Sequence, residues 1–233
     1  MNHPVLMLSH NLLHLSKKCV ASILAQDVPT DLIIVDNGSD EKTVHWLRNF
    51  FDAHIIYNPT NIGITAAWNE GARFVFEDMG EDAVFIANND IILPPWFLSE
   101  LLTYDGALVS GVSVDRMEQI AEKPARAERN LHPDFSGFLL RKEAWEKVGP
   151  FDERMVNYCS DCAYHIEAVR RGVQLYGTGI PFYHERSSTL NLAPPEEHLA
   201  MSRRADADRQ AFKSIYGCLP FEAAYEEFFK CEM

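Results

Sequence analysis

The chain has 233 residues, 47% of them hydrophobic and 24% charged, which suits one large α/β domain or one domain with a small appendage. Its 21 basic and 34 acidic residues leave a net charge of −13, which repels phosphate backbones and anionic lipid and so disfavours nucleic acids and membrane surfaces as partners. No apolar run reaches the roughly 18 residues of a membrane span, and the N-terminus lacks the basic region of a signal peptide. Five cysteines at scattered spacings read as the reduced thiols of a cytoplasmic protein.

The first half alternates strand-like and helix-like segments. "PVLMLS" (4–9) and "LIIVD" (32–36) are short, nearly continuous apolar runs, the pattern of parallel strands covered on both faces. Between them Leu12, Leu15, Cys19, Ile23 and Leu24 recur at helical spacing. Strands are expected at 53–58, 83–88 and 107–114, and helices at 41–50, 64–78 and 95–103. Such alternation with short connections implies βαβ units and an open, mostly parallel, Rossmann-like sheet flanked by helices. Residues 115–134, which include the basic "KPARAER", read as a charged variable loop. "DFSGFLLRKEAWEKVG" (134–149) reads as a strand and a short helix, and Asp161 to Arg171 as a helix stopped by Gly172. A strand at 173–184 follows, then the segment 185–195, then a charged helical tail. These patterns divide the chain into a domain over 1–195 and a helical extension over 196–233.

In open α/β sheets ligands bind beyond the carboxyl ends of the strands. Here those ends carry "SHN" (9–11, with Ser9 and Asn11), "DNGSD" (36–40), "NPTN" (58–61) and "NND" (88–90), all polar and turn-forming. No glycine-rich dinucleotide fingerprint, phosphate-binding P-loop or serine nucleophile elbow is present, so the site must be built from carboxylates, amides and turns. Asp90, just past a buried strand, suits a hard divalent cation that takes further oxygens from a phosphate-bearing ligand. An Asn-Asn-Asp turn cap fits the same residues. Asp36 has the same two readings, a strand-end turn or a group that reads a base edge.

The segments "IIVDNGSD", "NPTNIGITAAWNEGAR", "FIANND", "FSGFLLRKEAWEKVGPFDERM" and "SDCAYHIEAVRRG" resemble, in this order, the motifs of the family 2 glycosyltransferases, enzymes of the GT-A fold. The resemblance implies an inverting, metal-dependent transfer of a sugar from a nucleotide-diphosphate donor, a UDP-sugar in the first instance. It implies that Asp36 contacts the base, while Asn61, Gly63, Trp68 and Asn69 line the donor pocket. Asn88 stands where the first aspartate of the family's D-x-D is expected, with Asn89 following and Asp90 as the ligand to Mn²⁺ or Mg²⁺. Gly137 lies where backbone approaches the donor sugar or acceptor, and His184 matches a late histidine that completes the metal shell.

The family opens a helix with a Glu-Asp pair followed by x-Asp. The matching run here is Ser160, Asp161, Cys162, Ala163, which leaves Asp161 as the general base. Asp161 also suits a helix start, where it favours the dipole. Cys159 and Cys162 form a C-x-x-C, but a structural zinc needs four ligands, so packing is their expected role. The acceptor is expected to carry a free hydroxyl on a glycan, small molecule or protein. The aromatic tail "FEAAYEEFFK" is expected to pack on the domain or to mediate a homo-oligomer contact. Two other readings are a sugar-nucleotide-binding protein of this fold with impaired catalysis and a nucleotidyltransferase; the latter usually carries a glycine-rich phosphate loop after its first strand, absent from "SHNLLHLSKK".

Overall fold

The computed structural model describes residues 2–122, 128–129, 133–185 and 195–232. Strand β1 (His3–Ser9) leads through α1 (Leu13–Leu24) to β2 (Thr30–Asn37), and then through α2 (Glu41–Arg48) to β3 (His54–Asn58). Helix α3 (Ile64–Arg73) runs on through one π-helical turn (Phe74–Asp78) into β4 (Ala83–Asn88). These four strands lie in the order β3-β2-β1-β4, and every pair is parallel. Side chains alternate across the pleat, so Val5 and Met7 of β1 pack against Cys19, Val20 and Ile23 of α1. Leu6 and Leu8 face the other way, onto Ala67, Trp68 and Ala72 of α3. Both faces of β1 are thereby buried, which its unbroken apolar run requires.

The second half changes direction. A short β5 (Ile91–Ile92), α4 (Phe97–Leu101), β6 (Leu108–Val114) and a two-residue β7 (Glu128–Arg129) lead to β8 (Gly137–Arg141). After β8 come α5 (Lys142–Val148), α6 (Ser160–Arg170) and β9 (Leu175–His184). β8 inserts between β4 and β6 and is antiparallel to both, while β9 is parallel to β6 and antiparallel to β5 and β7. The mixed α/β sheet with flanking helices is the expected fold class, and the parallel pattern is strict only in the first half. A strand buried on both faces shows its burial in sequence but not the direction of its neighbour. Most of the basic stretch at 123–129 and the segment 186–194 lie outside the described residues.

The C-terminal segment forms α7 (Pro195–Tyr216) and α8 (Ala223–Glu226), followed by a 3₁₀ turn (Glu227–Glu232). Phe212 of α7 and Tyr225 of α8 are fully buried with Met155, Cys162, Ala163 and Ile166, so this segment packs on α6. Among the described residues no helix is long and apolar enough to cross a membrane.

Beneath the site lies an aromatic cluster. Phe138 of β8 stacks on Phe135 at 4.0 Å and meets Trp68 edge-on at 5.7 Å. Phe138→Ala removes a fully buried ring of this cluster and is expected to lower the unfolding free energy by about 3–5 kcal/mol, measured by chemical denaturation.

Candidate active site

The carboxyl ends of β1, β2 and β3 interlock through side-chain-to-backbone bonds. Register pairs Ser9 with Asp36 and Asp36 with Tyr57. Ser9 is fully buried, and its hydroxyl pairs with that of Ser16 at 3.2 Å, so it anchors α1 to β1. Asn11 is tied to the next loop: its N–H donates to the Ser39 hydroxyl (2.9 Å), and its Oδ1 accepts from the Asp40 N–H (2.7 Å). Asn11 and Leu12 both adopt left-handed backbone, with φ of 55° and 46°. Asparagine tolerates that region, but leucine there is strained. Asn37 donates to Gly63 O (3.1 Å) and accepts from the Ile62 N–H (2.9 Å), and Asn61 Oδ1 accepts from the Gly63 N–H (2.9 Å). Gly38, at φ 73°, lies so close to the third loop that an added Cβ would sit 2.4 Å from the Thr60 carbonyl carbon.

At the centre of these loops lies Asp36. Its residue is 1% exposed, and its Oδ1 is buried with no hydrogen-bond partner. Burial raises its pKa, against the opposing pull of hydrogen bonds from Ser39 and the nearby His10. A buried acceptor left unmatched costs free energy, so this oxygen marks a place where a donor belongs. Tyr57, which the sequence reading passed over, is half exposed beside it; burial and then the charge of Asp36 push its phenol upward. The only sequence signal for Tyr57 is its place one residue before the polar end of β3.

The second group of residues forms at the end of β4. The Asn88 N–H donates to Ser136 O (2.9 Å), and Asn89 Nδ2 donates to the Ser16 hydroxyl (2.9 Å). Asp90 follows, and the antiparallel pairing of Ile91 with His184 brings the end of β9 alongside it. Asp90 Oδ1 and His184 Nε2 stand 3.3 Å apart, both largely buried. The Glu185 N–H closes this corner on Asp90 O at 2.9 Å. A carboxylate oxygen and an imidazole nitrogen converging on one point fit a divalent cation as a two-residue set. Among the described residues no group of three or more His, Cys, Asp or Glu side chains gathers to hold a metal.

The third group opens α6. Cys159 is left-handed (φ 64°), which turns the chain sharply into the helix. Asp161 lies in the first helical turn, partly accessible, with its Oδ1 accepting the Cys162 N–H at 2.7 Å. Its pKa is raised, first by burial and in smaller part by the negative charge of Asp134. Asp134 is the second residue that the sequence reading missed. Its N–H donates to the Ser110 hydroxyl (2.7 Å) and its carboxylate accepts the Ser136 N–H (2.9 Å), which fixes it ahead of β8.

At 163 the departure from the Glu-Asp-x-Asp pattern has a packing reason. Ser160 is 2% exposed, and Ala163 is 1% exposed within the apolar cluster that the C-terminal helices make with α6. A carboxylate at 163 would be buried without a partner there, at prohibitive cost. Cys162 belongs to the same cluster, and burial pushes its thiol far above the usual range. Burial likewise pushes Cys159 up to about 11. Both are free thiols and protonated at neutral pH, the opposite of a reactive pair.

Three expected pocket residues lie in the interior instead. Trp68 is 5% exposed, held between Phe135, Phe138 and Phe151. Asn69 is fully buried, and its amide bonds both backbone groups of Phe151 (2.9 and 2.8 Å) and Glu153 (2.8 Å). Its role is to brace the chain ahead of α6. Above Gly137 an added Cβ would meet Ile91, Phe85 and Phe182 at 3.2–3.4 Å, so core packing accounts for that glycine. Tryptophan, asparagine and glycine are all common in ligand pockets, and their local sequence does not reveal which way the helix or strand turns them.

The profile of Glycosyl transferase family 2 matches residues 5–171. The chain belongs to that family. A search of curated protein sequences gives no match. Among solved structures, the chain is similar to the mannosyltransferase PcManGT from Pyrobaculum calidifontis in complex with GDP-Man and Mn²⁺ (TM-score 0.67, 17% identity, 99% of this chain and 68% of that one). It is also similar to S. aureus TarS residues 1–349 in complex with UDP (TM-score 0.60, 13% identity, 98% and 71%). A third likeness is to GalNAc-T7 with UDP, GalNAc and Mn²⁺ (TM-score 0.62, 11% identity, 79% and 44%). At these identities the structures establish the GT-A architecture, and the family match establishes a glycosyltransferase.

The raised pKa of Asp161 has a consequence for stability. A carboxyl whose folded pKa exceeds its unfolded value opposes folding once it is ionised. The penalty is absent below the unfolded value of 3.8 and complete above the folded one. Asp161→Asn is therefore expected to raise the melting temperature at neutral pH, each kcal/mol relieved being worth roughly 2–4 °C. The gain should shrink toward zero as the pH falls below about 4. Thermal melts at pH 7 and pH 3.5 provide the comparison.

Proposed function

We propose that this family 2 glycosyltransferase moves a sugar from a UDP-sugar to an acceptor hydroxyl, with inversion at the anomeric carbon. The observation that carries the reading is the approach of Asp90 to His184 at the same sheet edge as Asp36 and Asp161. Asp36 supports the choice of nucleotide. Its one unmatched oxygen suits the single imide N–H of uracil, whereas guanine offers two adjacent donors and pairs best with a carboxylate that has both oxygens free. Tyr57 is available beside it as a flat apolar surface for the ring.

Asp90 and His184 would hold Mn²⁺ or Mg²⁺, with phosphate oxygens of the donor completing the shell. When bound, such an ion stabilises the negative charge that gathers on a departing diphosphate. Asp161 accepts the proton of the acceptor hydroxyl as that oxygen attacks the anomeric carbon. Burial and Asp134 make Asp161 a stronger base than an exposed aspartate. Attack from the face opposite the leaving group breaks the sugar–phosphate bond in one displacement, which inverts the configuration. The acceptor class that fits the acidic chain is a neutral hydroxyl on a glycan, small molecule or protein.

Calorimetry with UDP-sugars, with and without Mn²⁺, tests the donor half. Asp90→Ala is expected to abolish the Mn²⁺-dependent part of binding, and Asp36→Ala to weaken binding of UDP itself. Asp161→Asn should bind donor as the wild type does and lose transfer by about 10²–10⁴-fold. Wild-type transfer rates in that variant would remove the base assignment. The acid limb of the kcat profile should lie above that of an unperturbed aspartate, because the base must be ionised and its pKa is raised.

A further inference from the structure

The loop before Asp161 is held by a residue of the C-terminal helix. Asp208 of α7 is 2% exposed. Its Oδ1 accepts the N–H of Val156, and its Oδ2 accepts those of Asn157 and Tyr158, all at 2.9 Å. Three successive amides converging on one point form a concave anion site, and here the chain's own carboxylate fills it. Charge-assisted bonds of this kind are about twice as strong as neutral ones.

The same loop is bonded on its other side to the start of α3. The Thr65 N–H donates to Val156 O (3.1 Å), the Thr65 hydroxyl to Met155 O (2.5 Å), and the Ile64 N–H to Asn157 Oδ1 (3.1 Å). Gly63 completes the contact, because an added Cβ would lie 2.3 Å from Val156 Cγ1. Residues 155–158 thus lie between the Asn61–Gly63 loop and α7, and the next residue, Cys159, makes the left-handed turn into Asp161. Tyr225 and Phe212 of the C-terminal segment pack beside Cys162 below.

We propose that Asp208 is a positioning residue for sugar transfer: by gathering the amides of residues 156–158 it fixes the loop that aims Asp161 and couples that loop to the start of α3. The proposal rests on the reading of Asp161 as the base. Asp208 itself touches neither the Asp36 pocket nor the Asp90–His184 pair, so its loss should act on the chemical step and spare donor capture. A general base displaced by about 1 Å can lose two orders of magnitude in rate.

The test compares the wild-type chain, Asp208→Asn and Asp161→Asn. Amide hydrogen exchange, donor affinity and turnover of UDP-glucose with Mn²⁺ are measured on each. In Asp208→Asn, exchange is expected to quicken at Val156, Asn157 and Tyr158, and also at Ile64 and Thr65, while β1 to β4 stay protected. The kcat should fall by roughly 10–100-fold, with the KM for donor within about twofold of wild type. Unchanged exchange at Ile64 and Thr65 overturns the coupling, and an unchanged kcat or a parallel loss of donor affinity overturns the positioning role. If Asp161→Asn turns over normally the base reading falls instead, and the exchange data still decide the coupling. Should Asp208→Asn not fold, Asp208→Glu keeps the acceptors but displaces them by one methylene, and the same readings apply to it.

Discussion

The architecture depends on β4, where the sheet changes direction. On one side it pairs parallel with β1, and on the other it accepts β8 antiparallel, with Ala87 opposite Gly137. A parallel sheet sends all its carboxyl ends to one edge, and an antiparallel neighbour brings its amino end there. Asp134 and Ser136 therefore arrive beside Asn88, where the Asn88 N–H bonds Ser136 O. The chain then runs away through β8 and α5 and returns to open α6 at the same edge. β9 runs in the direction of β6, and so of β4, which carries His184 to Asp90. One reversal of pairing thus assembles residues from distant parts of the chain.

What gathers at that edge is an excess of negative charge. Asp36, Asp90, Asp134 and Asp161 come from four different segments, and burial holds the pKa of both Asp36 and Asp161 upward. Carboxylates kept in this way cost stability, which proteins retain where a site needs it. A preformed field of one sign among partly buried groups favours a cation or an N–H donor. The strained Asn11–Leu12 turn and the crowded Gly38 belong to the same compromise: the three loops are locked together so that Asp36 is not free to turn toward solvent.

The parallel half of the fold was legible because each strand is a buried apolar run bounded by polar turn residues. Asp36, Asp90 and Asp161 stood out in the sequence because each falls at the end of a strand or the start of a helix; that two of them, Asp36 and Asp90, are largely buried there shows only in the fold. Trp68, Asn69 and Gly137 were misplaced, because residue type does not reveal rotation: α3 turns Trp68 and Asn69 inward to brace Phe151. Asp134, Tyr57 and Asp208 were passed over for another reason. The neighbours of each come from remote segments, so little in the local sequence distinguishes it from an ordinary surface residue. The missing acid at 163 has no explanation in the sequence, and only the packing of the C-terminal helices on α6 supplies one.

The three bonds of Asp208 also set an order of events in biosynthesis. Domains form as the ribosome releases them, beginning at the N-terminus. By the time Asn88 is made, β1 and β2 have both of their sheet neighbours, and only β4 still awaits β8. The amides of residues 156–158, by contrast, wait for a carboxylate 50 to 52 positions downstream. A nascent chain can therefore complete the Asp36 loops well before the segment ahead of Asp161 is fixed. The order in which the ribosome releases the chain is thus also the order in which these two regions can set.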